Sequence, residues 1–315
     1  MSMSASNLGF SISFARDTAK HIRRFSIVHI HAVRNFVTWW TMLWARRFRV
    51  PYIVAPQGSY EPWVLQRTSI KNRCYDQLFE RPLLNCASAI QCLTSAEVQQ
   101  VQALGVQAPC RIIPNGVRSG SSRFAKTGTQ IAARGKRLLF LGRLHPKKGL
   151  DLLIPAFQNC LPRLPDLRLL VAGSDCGTGY LSEVEALTRE LGLVDKVSFL
   201  GELHGEQKEL CFANADAFAL TSRSEGLPVA VLEAMAHGLP VIVSESCNLP
   251  EILASGAGIV VKCQVEQICA AILKVFESDA SRRDLGLNAI RLVEEKFAWH
   301  RIAAQAVRLY VELQG

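Results

Sequence analysis

Several patterns that mark particular protein classes are missing from this 315-residue chain. Its ten cysteines form no Cys-x-x-Cys pair, so the spacing expected of a zinc site or a dithiol redox site is absent. No apolar run approaches the ~20 residues needed to cross a bilayer. No signal peptide is visible either, so we expect reduced thiols and a cytoplasmic protein. No helix-turn-helix, finger or other nucleic-acid module can be recognised.

Alternating strands and helices dominate what is present. Hydrophobic residues make up 49% of the chain, which is enough for sizeable cores in two α/β domains. Short apolar runs at 138–141 and 169–172 are typical of strands buried on both faces of a parallel sheet. A linker rich in Ser, Gly and Thr is predicted at 118–136. Strands are predicted at 27–31, 52–55, 89–93 and 111–113 before the linker, and at 138–142, 168–172, 197–200, 216–221, 240–244 and 257–261 after it. The main helices are predicted at 12–25, 35–48, 76–85, 96–104, 266–277 and 282–315.

The positive charge of the chain is confined to its first part. Residues 1–122 contain 14 Lys/Arg and 5 Asp/Glu, whereas residues 123–315 contain 22 of each, so the first part carries the whole net charge of +9. This asymmetry favours a peripheral contact with anionic lipid at the inner face of the membrane, or an acceptor that bears a diphosphate. Nucleic acid ranks below both, and a purely solubilising role stays open.

The segment 36–44 is rich in Trp and Phe and is followed by three arginines. Such a segment has two interpretations, a helix at a membrane interface or a buried domain helix with a basic C-terminal end. A surface helix would need a broad polar face, and Thr38 and Thr41 provide little of one. We therefore favour the buried helix.

Two glutamates eight residues apart lie where a predicted strand passes through a polar turn into an apolar helix. Glu225 falls in the turn and Glu233 falls inside the helix. The carboxyl ends of strands form the crevice in which open α/β sheets bind ligands. The backbone N–H groups of Gly226 and Leu227, at the start of the helix, suit an anionic or polyhydroxylated ligand. Taken alone, the pair also has an ordinary interpretation, in which Glu225 caps the helix and Glu233 is solvated.

Two cations flank another turn, between the strand predicted at 138–142 and a helix that begins near residue 149. The guanidinium of Arg143 can fork onto phosphate oxygens beside the point charge of Lys148, which is the arrangement that a diphosphate leaving group requires. In isolation these would be solvated loop cations. Combined with the glutamates, they favour an anion site. No Asp-x-Asp sequence occurs, so a metal-bridged diphosphate is not predicted.

These segments resemble the donor site of glycosyltransferase family 4, whose members are retaining enzymes of the GT-B fold. The resemblance is carried by Gly-Arg-Leu-His-Pro-Lys-Lys-Gly at 142–149 and by Glu225-x7-Glu233. It implies two Rossmann-like domains with parallel sheets, an acceptor-side domain at 1–122 and a donor-binding domain at 123–296, with a helix at 297–315 packing back on the first. Segments that agree in order are 113–117, 170–173, 191–201, 246–251 and 297–299.

The resemblance also implies roles for the residues. A nucleotide-diphospho-sugar would be the donor and a glycan or lipid-linked molecule of polysaccharide biosynthesis the acceptor, with no cofactor or metal. Glu233 would hold the ribose hydroxyls, and Glu225 would lie near the sugar ring. Arg143 and Lys148 would neutralise the diphosphate as the glycosidic bond breaks. The two backbone N–H groups named above complete the donor-binding set.

The acceptor side departs from the family pattern. Gln57 occupies the loop position where many relatives have a histidine. Glutamine can hydrogen-bond a sugar but cannot act as a general base. In a retaining transferase this is tolerable, because the departing phosphate can accept the proton of the incoming hydroxyl. His31 is the second acceptor-side candidate, although a histidine at a strand end is more often structural.

A second departure concerns the first strand. Family members open with a strand and a glycine-rich turn, whereas the strand predicted here at 27–31 resembles one from the middle of the family's first domain. We therefore expect an incomplete first sheet with an exposed edge. The main alternative function is a catalytically impaired family member that binds nucleotide-sugar or a partner without turnover. A nucleotide-sugar epimerase, another GT-B class, is disfavoured by the ordered motifs.

Overall fold

The computed structural model describes residues 11–66, 75–119 and 135–314. They form two compact units, one within Met1–Asn115 and Ile302–Gly315 and the other within Gly116–Arg301. The end of the chain therefore belongs to the first unit, and the boundaries lie a few residues from the domain limits expected from the sequence. Most of the predicted linker, 120–134, lies outside the described residues.

A four-stranded parallel sheet forms the centre of the first unit, with its strands in the order of the chain. All four residues of the second strand are buried, as expected for a strand covered on both faces. Among the described strands the first pairs only with the second, so its other edge has no neighbour, in agreement with the sequence. The strands are β1 Val28–His31, β2 Tyr52–Ala55, β3 Ala89–Cys92 and β4 Cys110–Ile112; the helices are α1 Ile12–His21, α2 Phe36–Arg47, α3 Pro62–Gln66, α4 Arg81–Leu84 and α5 Ser95–Ala103, with a 3-10 turn at Ile22–Arg24.

The helix predicted at 76–85 has a different form in the structure. A π-helical segment, Asp76–Glu80, runs directly into α4. Both ends of that segment bind one arginine: Arg34 Nη2 donates to Asp76 Oδ2 at 2.6 Å and the Arg34 backbone N–H donates to Glu80 Oε1 at 2.5 Å. These two bonds join the segment to the loop that follows β1, a tertiary contact that the helical pattern alone does not reveal.

The aromatic helix α2 belongs to the core of the first unit. Met42 and Ala45 are fully buried, and Trp39, Leu43 and Trp44 pack against the same core. The buried-helix interpretation of this segment therefore describes the structure, and the two arginines of the last turn are exposed.

The last helix, α13 (Trp299–Gln314), packs on the sheet of the first unit from residue 302 onward. Ile302 and Leu309 are buried in a cluster that includes Ile53 of β2. The hydroxyl of Tyr310 lies 2.8 Å from Nδ1 of His29 in β1. The C-terminal helix thus covers part of one face of this sheet.

The second unit is built on a six-stranded parallel sheet in the order β10-β9-β8-β5-β6-β7. Each strand matches its predicted range to within one residue at either end. The strands are β5 Arg137–Leu141, β6 Arg168–Ala172, β7 Val197–Gly201, β8 Ala217–Leu220, β9 Val241–Ser244 and β10 Gly258–Val261; the helices are α6 Leu150–Cys160, α7 Tyr180–Glu190, α8 Gly205–Ala213, α9 Val229–Ala236, α10 Glu251–Ser255, α11 Val265–Phe276 and α12 Asp279–Leu292, with 3-10 turns at Pro146–Lys148 and Glu245–Cys247 and a π-helical turn at Val293–Phe297.

The order of the strands reverses next to β5. The chain runs from β5 to β6 and β7 on one side, and then returns to β8, β9 and β10 on the other. At such a switch point the loops after the two central strands diverge and leave a crevice for ligands. Here these are the loops 142–149 and 221–228, which carry the cations and the first glutamate of the sequence analysis.

Candidate active site

The two loops at the switch point touch each other through their backbones. In the first loop, His145 caps the 3-10 turn by accepting the N–H of Lys147 at 3.0 Å. Gly149 then adopts a left-handed conformation, with φ of 73°, and is the N-cap of α6. A Cβ atom at Gly149 would lie 2.1 Å from the carbonyl oxygen of Thr221, whose hydroxyl donates to the carbonyl of Gly149 at 2.9 Å. Only glycine fits both the conformation and the space at this position.

The contact between the loops places Lys148 beside Glu225. The Lys148 ammonium donates to Glu225 Oε1 at 2.6 Å, and the Ser222 hydroxyl donates to the same oxygen at 2.5 Å. Asn248 fixes the backbone by donating to the Glu225 carbonyl at 2.6 Å. Glu225 is only 6% exposed, and among the described residues its second oxygen, Oε2, accepts no hydrogen bond. One carboxylate oxygen is thus held by the protein and the other remains available.

The ordinary interpretation of Glu225 as a helix cap is wrong. Helix α9 begins at Val229 with Pro228 at its N-cap, and no side chain caps it. The carboxylate of Glu225 is instead turned toward Lys148. Gly226 is half-buried and Leu227 is buried, and their backbone N–H groups donate to no acceptor among the described residues. These two groups precede the first helical residue and remain available to a ligand.

Arg143 and Lys148 are brought to the same loop but differ in their partners. Arg143 follows β5 directly, and it is exposed with no ion-pair partner among the described residues. Lys148 is half-buried and already paired. The interpretation as a solvated cation therefore describes Arg143 in this structure but not Lys148.

Arg223 clamps the two loops together, a role that the sequence analysis missed. Its guanidinium donates to Asp151 Oδ1 at 2.8 Å and Oδ2 at 2.6 Å, and also to the carbonyl of Pro146 at 2.6 Å. Its backbone N–H donates to the carbonyl of Lys147 at 2.8 Å. Burial alone would raise the pKa of Asp151, but the hydrogen bonds and charge of Arg223 outweigh it and the pKa is lowered. The pair is therefore ionised at neutral pH.

Glu233 lies inside α9, as predicted, but it is not merely solvated. The ammonium of Lys208, in α8, donates to Glu233 Oε1 at 2.7 Å, and both side chains are 27% exposed. Oε2 of Glu233 has no partner among the described residues. Like Glu225, this glutamate has one oxygen held by a lysine and one available oxygen.

The acceptor-side candidates meet in the first unit. His31 ends β1 and Gln57 follows β2, and Gln57 Nε2 lies 3.1 Å from His31 Nδ1 in an exposed position. Gln57 has a φ of 53°, a left-handed conformation that costs energy in a residue other than glycine. The His31 ring stacks on His29 at 4.3 Å, and burial together with the charge of His31 lowers the pKa of His29 to about 4. His29 is therefore neutral at pH 7.

Buried carboxylates hold the loop that carries Gln57. Glu97 accepts the N–H of Gly58 and the N–H of Leu93, each at 2.6 Å, and thereby joins the loops after β2 and β3. Tyr60 donates to Glu80 Oε2 at 3.2 Å, and burial raises the pKa of Glu80 to about 7. The bond from the Gly58 N–H to Glu97 holds the backbone directly after Gln57, and so helps to maintain its left-handed conformation.

Metal-ligand groups, membrane-spanning helices and disulfides are absent from the part of the chain that the structure describes. The described residues contain no group of three or more His, Cys, Asp or Glu side chains that could hold a metal ion. None of their helices is long and apolar enough to cross a membrane. The cysteines among them are free thiols. Burial raises the pKa of Cys247, beneath the switch-point loops, to about 12, so this thiol stays protonated.

Known proteins resemble the chain in both of its units. Residues 122–292 match the family described as glycosyl transferases group 1, and residues 5–116 match the glycosyl transferase 4-like domain. An uncharacterized glycosyltransferase of Methanocaldococcus jannaschii is 34% identical over 186 residues, which is 57% of this chain and 46% of that protein. The phosphatidyl-myo-inositol mannosyltransferase of Mycolicibacterium smegmatis is 29% identical over 221 residues, which is 69% of this chain and 55% of that protein.

The fold has a solved counterpart in Anabaena HepE, in a crystal structure with UDP and glucose. The TM-score is 0.80 at 20% identity, over 95% of this chain and 81% of that one. The chain belongs to the glycosyl transferases group 1 family, and its two parallel sheets are those of the GT-B fold. It spans about half the length of the two curated relatives named above.

Proposed function

We propose that the chain is a glycosyltransferase that moves a sugar from a nucleotide-diphospho-sugar to a glycan or lipid-linked acceptor, with retention of anomeric configuration. The observation that carries the proposal is the group at the switch point of the second unit. There Lys148 and Glu225 form an ion pair at 2.6 Å, and the loop of Lys148 also carries Arg143, which has no ion-pair partner among the described residues. Membership of the family and the solved complex of HepE with UDP and glucose support a nucleotide-sugar donor.

Charge development explains why two cations belong in this site. As the bond between the sugar and the diphosphate breaks, its electron pair moves to the phosphate oxygen, and negative charge grows there. Arg143 offers a planar fork of donors and has no ion-pair partner in the part of the chain that the structure describes, and Lys148 retains two N–H groups beyond the one given to Glu225. Preorganised donors of this kind typically lower a barrier by about 3–4 kcal/mol each.

The two glutamates take different parts of the donor. Glu225 would use Oε2 to orient a sugar hydroxyl and to stabilise positive character at the sugar ring, while Lys148 and Ser222 hold Oε1. Glu233 would accept hydrogen bonds from the ribose of the nucleotide. The backbone N–H groups of Gly226 and Leu227 would add donors for the diphosphate or the sugar.

The acceptor would bind on the side of His31 and Gln57. Its hydroxyl oxygen forms the new bond to the anomeric carbon, and its proton passes to the departing phosphate oxygen. Attack and departure on the same face of the sugar give retention. Gln57 and His31 would hydrogen-bond the acceptor, and their 3.1 Å contact supports a joint role. Neither has to act as the base.

Calorimetric titration with UDP, GDP, ADP and their sugars tests the donor site. We expect one nucleotide to bind with a dissociation constant in roughly the micromolar range. Glu233→Gln should weaken binding about tenfold, because the amide is a poorer acceptor for ribose hydroxyls. Arg143→Ala should weaken binding of the diphosphate but not of the nucleoside.

The controls separate the alternatives. Lys274→Ala, an exposed lysine in α11, should leave nucleotide binding unchanged. Binding without transfer to any acceptor would favour the impaired family member. Conversion of the nucleotide-sugar into an isomer, with no transferred sugar, would favour an epimerase, whereas release of free nucleotide together with a transferred sugar supports the proposal. Equal affinity in wild type and Glu233→Gln would contradict the ribose role.

We further propose a peripheral contact with anionic lipid at the cytoplasmic face of the membrane. Exposed cations lie on α1 and on the 3-10 turn after it, among them Lys20 in the helix and Arg24 in the turn. Between α1 and β1 lies an apolar cavity of about 320 Å³, lined by Phe14, Ile22 and Phe25 among others. Lys20 and Arg24 are next to lining residues in sequence, and exposed cations near an apolar surface are the combination that interfacial binding uses.

Co-sedimentation with vesicles tests this contact. Vesicles containing phosphatidylserine should bind the protein, and pure phosphatidylcholine vesicles should not. The double variant Lys20→Gln, Arg24→Gln should bind at least about tenfold more weakly, because each cation near the surface contributes roughly 1 kcal/mol. The control Arg189→Gln, Arg283→Gln removes two exposed charges from the second unit. Equal losses in both variants would mean that only net charge matters.

A further inference from the structure

Two consecutive residues of α8 bind to the helix that carries Glu233. Lys208 donates to Glu233 Oε1 at 2.7 Å, and Glu209 Oε2 lies 2.9 Å from Nε2 of His237, just after α9. The His237 ring is buried against Phe212, with ring centroids 4.9 Å apart, and its Nδ1 lies 2.8 Å from the Glu233 carbonyl. A second, partly buried contact therefore helps to fix the position of Lys208 relative to Glu233.

This arrangement changes what Glu233 can offer to a ribose. Lys208 already binds Oε1, so among the described residues Oε2 is the oxygen of Glu233 that has no protein partner and is best placed to accept from a hydroxyl. A ribose presents two neighbouring hydroxyls, and each is both a donor and an acceptor. The lysine ammonium has three N–H groups and no acceptor, and two of them remain after the bond to Glu233. The pair together supplies an acceptor oxygen, Glu233 Oε2, and two charged donors on the Lys208 ammonium.

We propose that Lys208 is a specificity-determining residue of the donor site, forming with Glu233 a two-part receptor for the ribose diol. The inference rests on the proposed function, since it assumes that a nucleotide binds at Glu233. One hydroxyl donates to Glu233 Oε2, and an oxygen of the diol accepts from the Lys208 ammonium. The receptor selects ribonucleotides over their deoxy analogues, because a missing hydroxyl leaves a charged donor or acceptor unpaired.

A purely structural role for Lys208 makes a different prediction. An ion pair with both side chains 27% exposed contributes little to stability. Removing the ammonium should then change neither folding nor the ratio of affinities for two nucleotides that differ by one hydroxyl. The affinity ratio is therefore the quantity that separates the two roles.

Calorimetric titration of the full chain with UDP, 2′-deoxy-UDP and 3′-deoxy-UDP gives that ratio, with the matching guanine nucleotides used if GDP is the ligand that binds. We expect the wild type to prefer the ribonucleotide over at least one deoxy analogue by about tenfold or more. In Lys208→Met, which keeps most of the side-chain length without the charge, this preference should fall to within about threefold. Lys208→Arg should retain part of it, and Lys274→Met is the matched control.

Each result decides the question. A preference that survives in Lys208→Met, even with weaker binding of all three nucleotides, overturns the role of Lys208 and leaves the proposed function intact. Failure of the wild type to bind any nucleotide overturns both. A preference lost in Lys208→Met and kept in Lys274→Met, with unchanged thermal unfolding in both, supports the inference.

Discussion

Lys148→Ala is expected to lower turnover by about 10²–10³-fold and to reduce the free energy of unfolding by about 3 kcal/mol. Both effects follow from the loss of the Lys148 ammonium. The ammonium lies 2.6 Å from Glu225, which is only 6% exposed, so its removal leaves a buried carboxylate whose one remaining partner among the described residues is the Ser222 hydroxyl. The same change removes one of the two cations that we propose for the diphosphate. Steady-state kinetics and urea unfolding of the same preparations measure the two effects.

Arg143→Ala is the matched comparison. It should lower turnover to a similar extent, because the guanidinium is expected on the same diphosphate. Its unfolding free energy should stay within about 0.5 kcal/mol of wild type, because Arg143 is exposed and has no ion-pair partner among the described residues. Unchanged turnover in either variant would contradict the catalytic assignment. Equal destabilisation by both would contradict the buried pairing of Lys148.

Gly149→Ala is expected to destabilise the protein by about 3–5 kcal/mol and to lower turnover about 10²-fold. The left-handed φ of 73° disfavours any residue with a Cβ, and the added methyl group would lie 2.1 Å from the backbone oxygen of Thr221. Since that oxygen belongs to backbone, relief requires the two switch-point loops to separate. Lys148 and Glu225 would then move apart. Thermal and urea unfolding, with nucleotide titration of the folded fraction, measure the change.

Gly192→Ala isolates the conformational part of this effect. Gly192 has a similar φ of 68°, but a Cβ there would have no atom within 4 Å. It should therefore cost only about 1–2 kcal/mol and leave turnover unchanged. If the two variants were equally stable, the close approach of the loops at Gly149 would be refuted.

The strands of the second unit were predictable because their patterns are local. Continuous apolar runs such as 138–141, bounded by charged residues and glycines, leave few alternatives to a buried parallel strand. The location of Glu225 after a strand and of Glu233 inside a helix followed from the same patterns. The expectation that such loops meet at a switch point follows from the alternation of strands and helices.

The partners of the site residues could not be predicted in this way. Arg223 and Asp151 are 72 residues apart in sequence, and Lys208 is 25 residues from Glu233. Nothing in the local sequence distinguishes Arg223 from any loop arginine, and only the order of the strands brings these side chains together. The interpretation of Glu225 as a helix cap was wrong for the same reason, because its partner Lys148 belongs to another strand's loop.

The Arg223 clamp limits how this site can be altered. Lys148 and Glu225 lie on different loops. Arg223, in the 221–228 loop, binds the carbonyl of Pro146 in the 142–149 loop and the carboxylate of Asp151 just after it. A chimera that receives only the 221–228 loop of a relative would lose the matching half of that contact and misalign both charges. If these loops bind the donor as proposed, an exchange of donor specificity should require 142–151 and 221–228 to be transferred together.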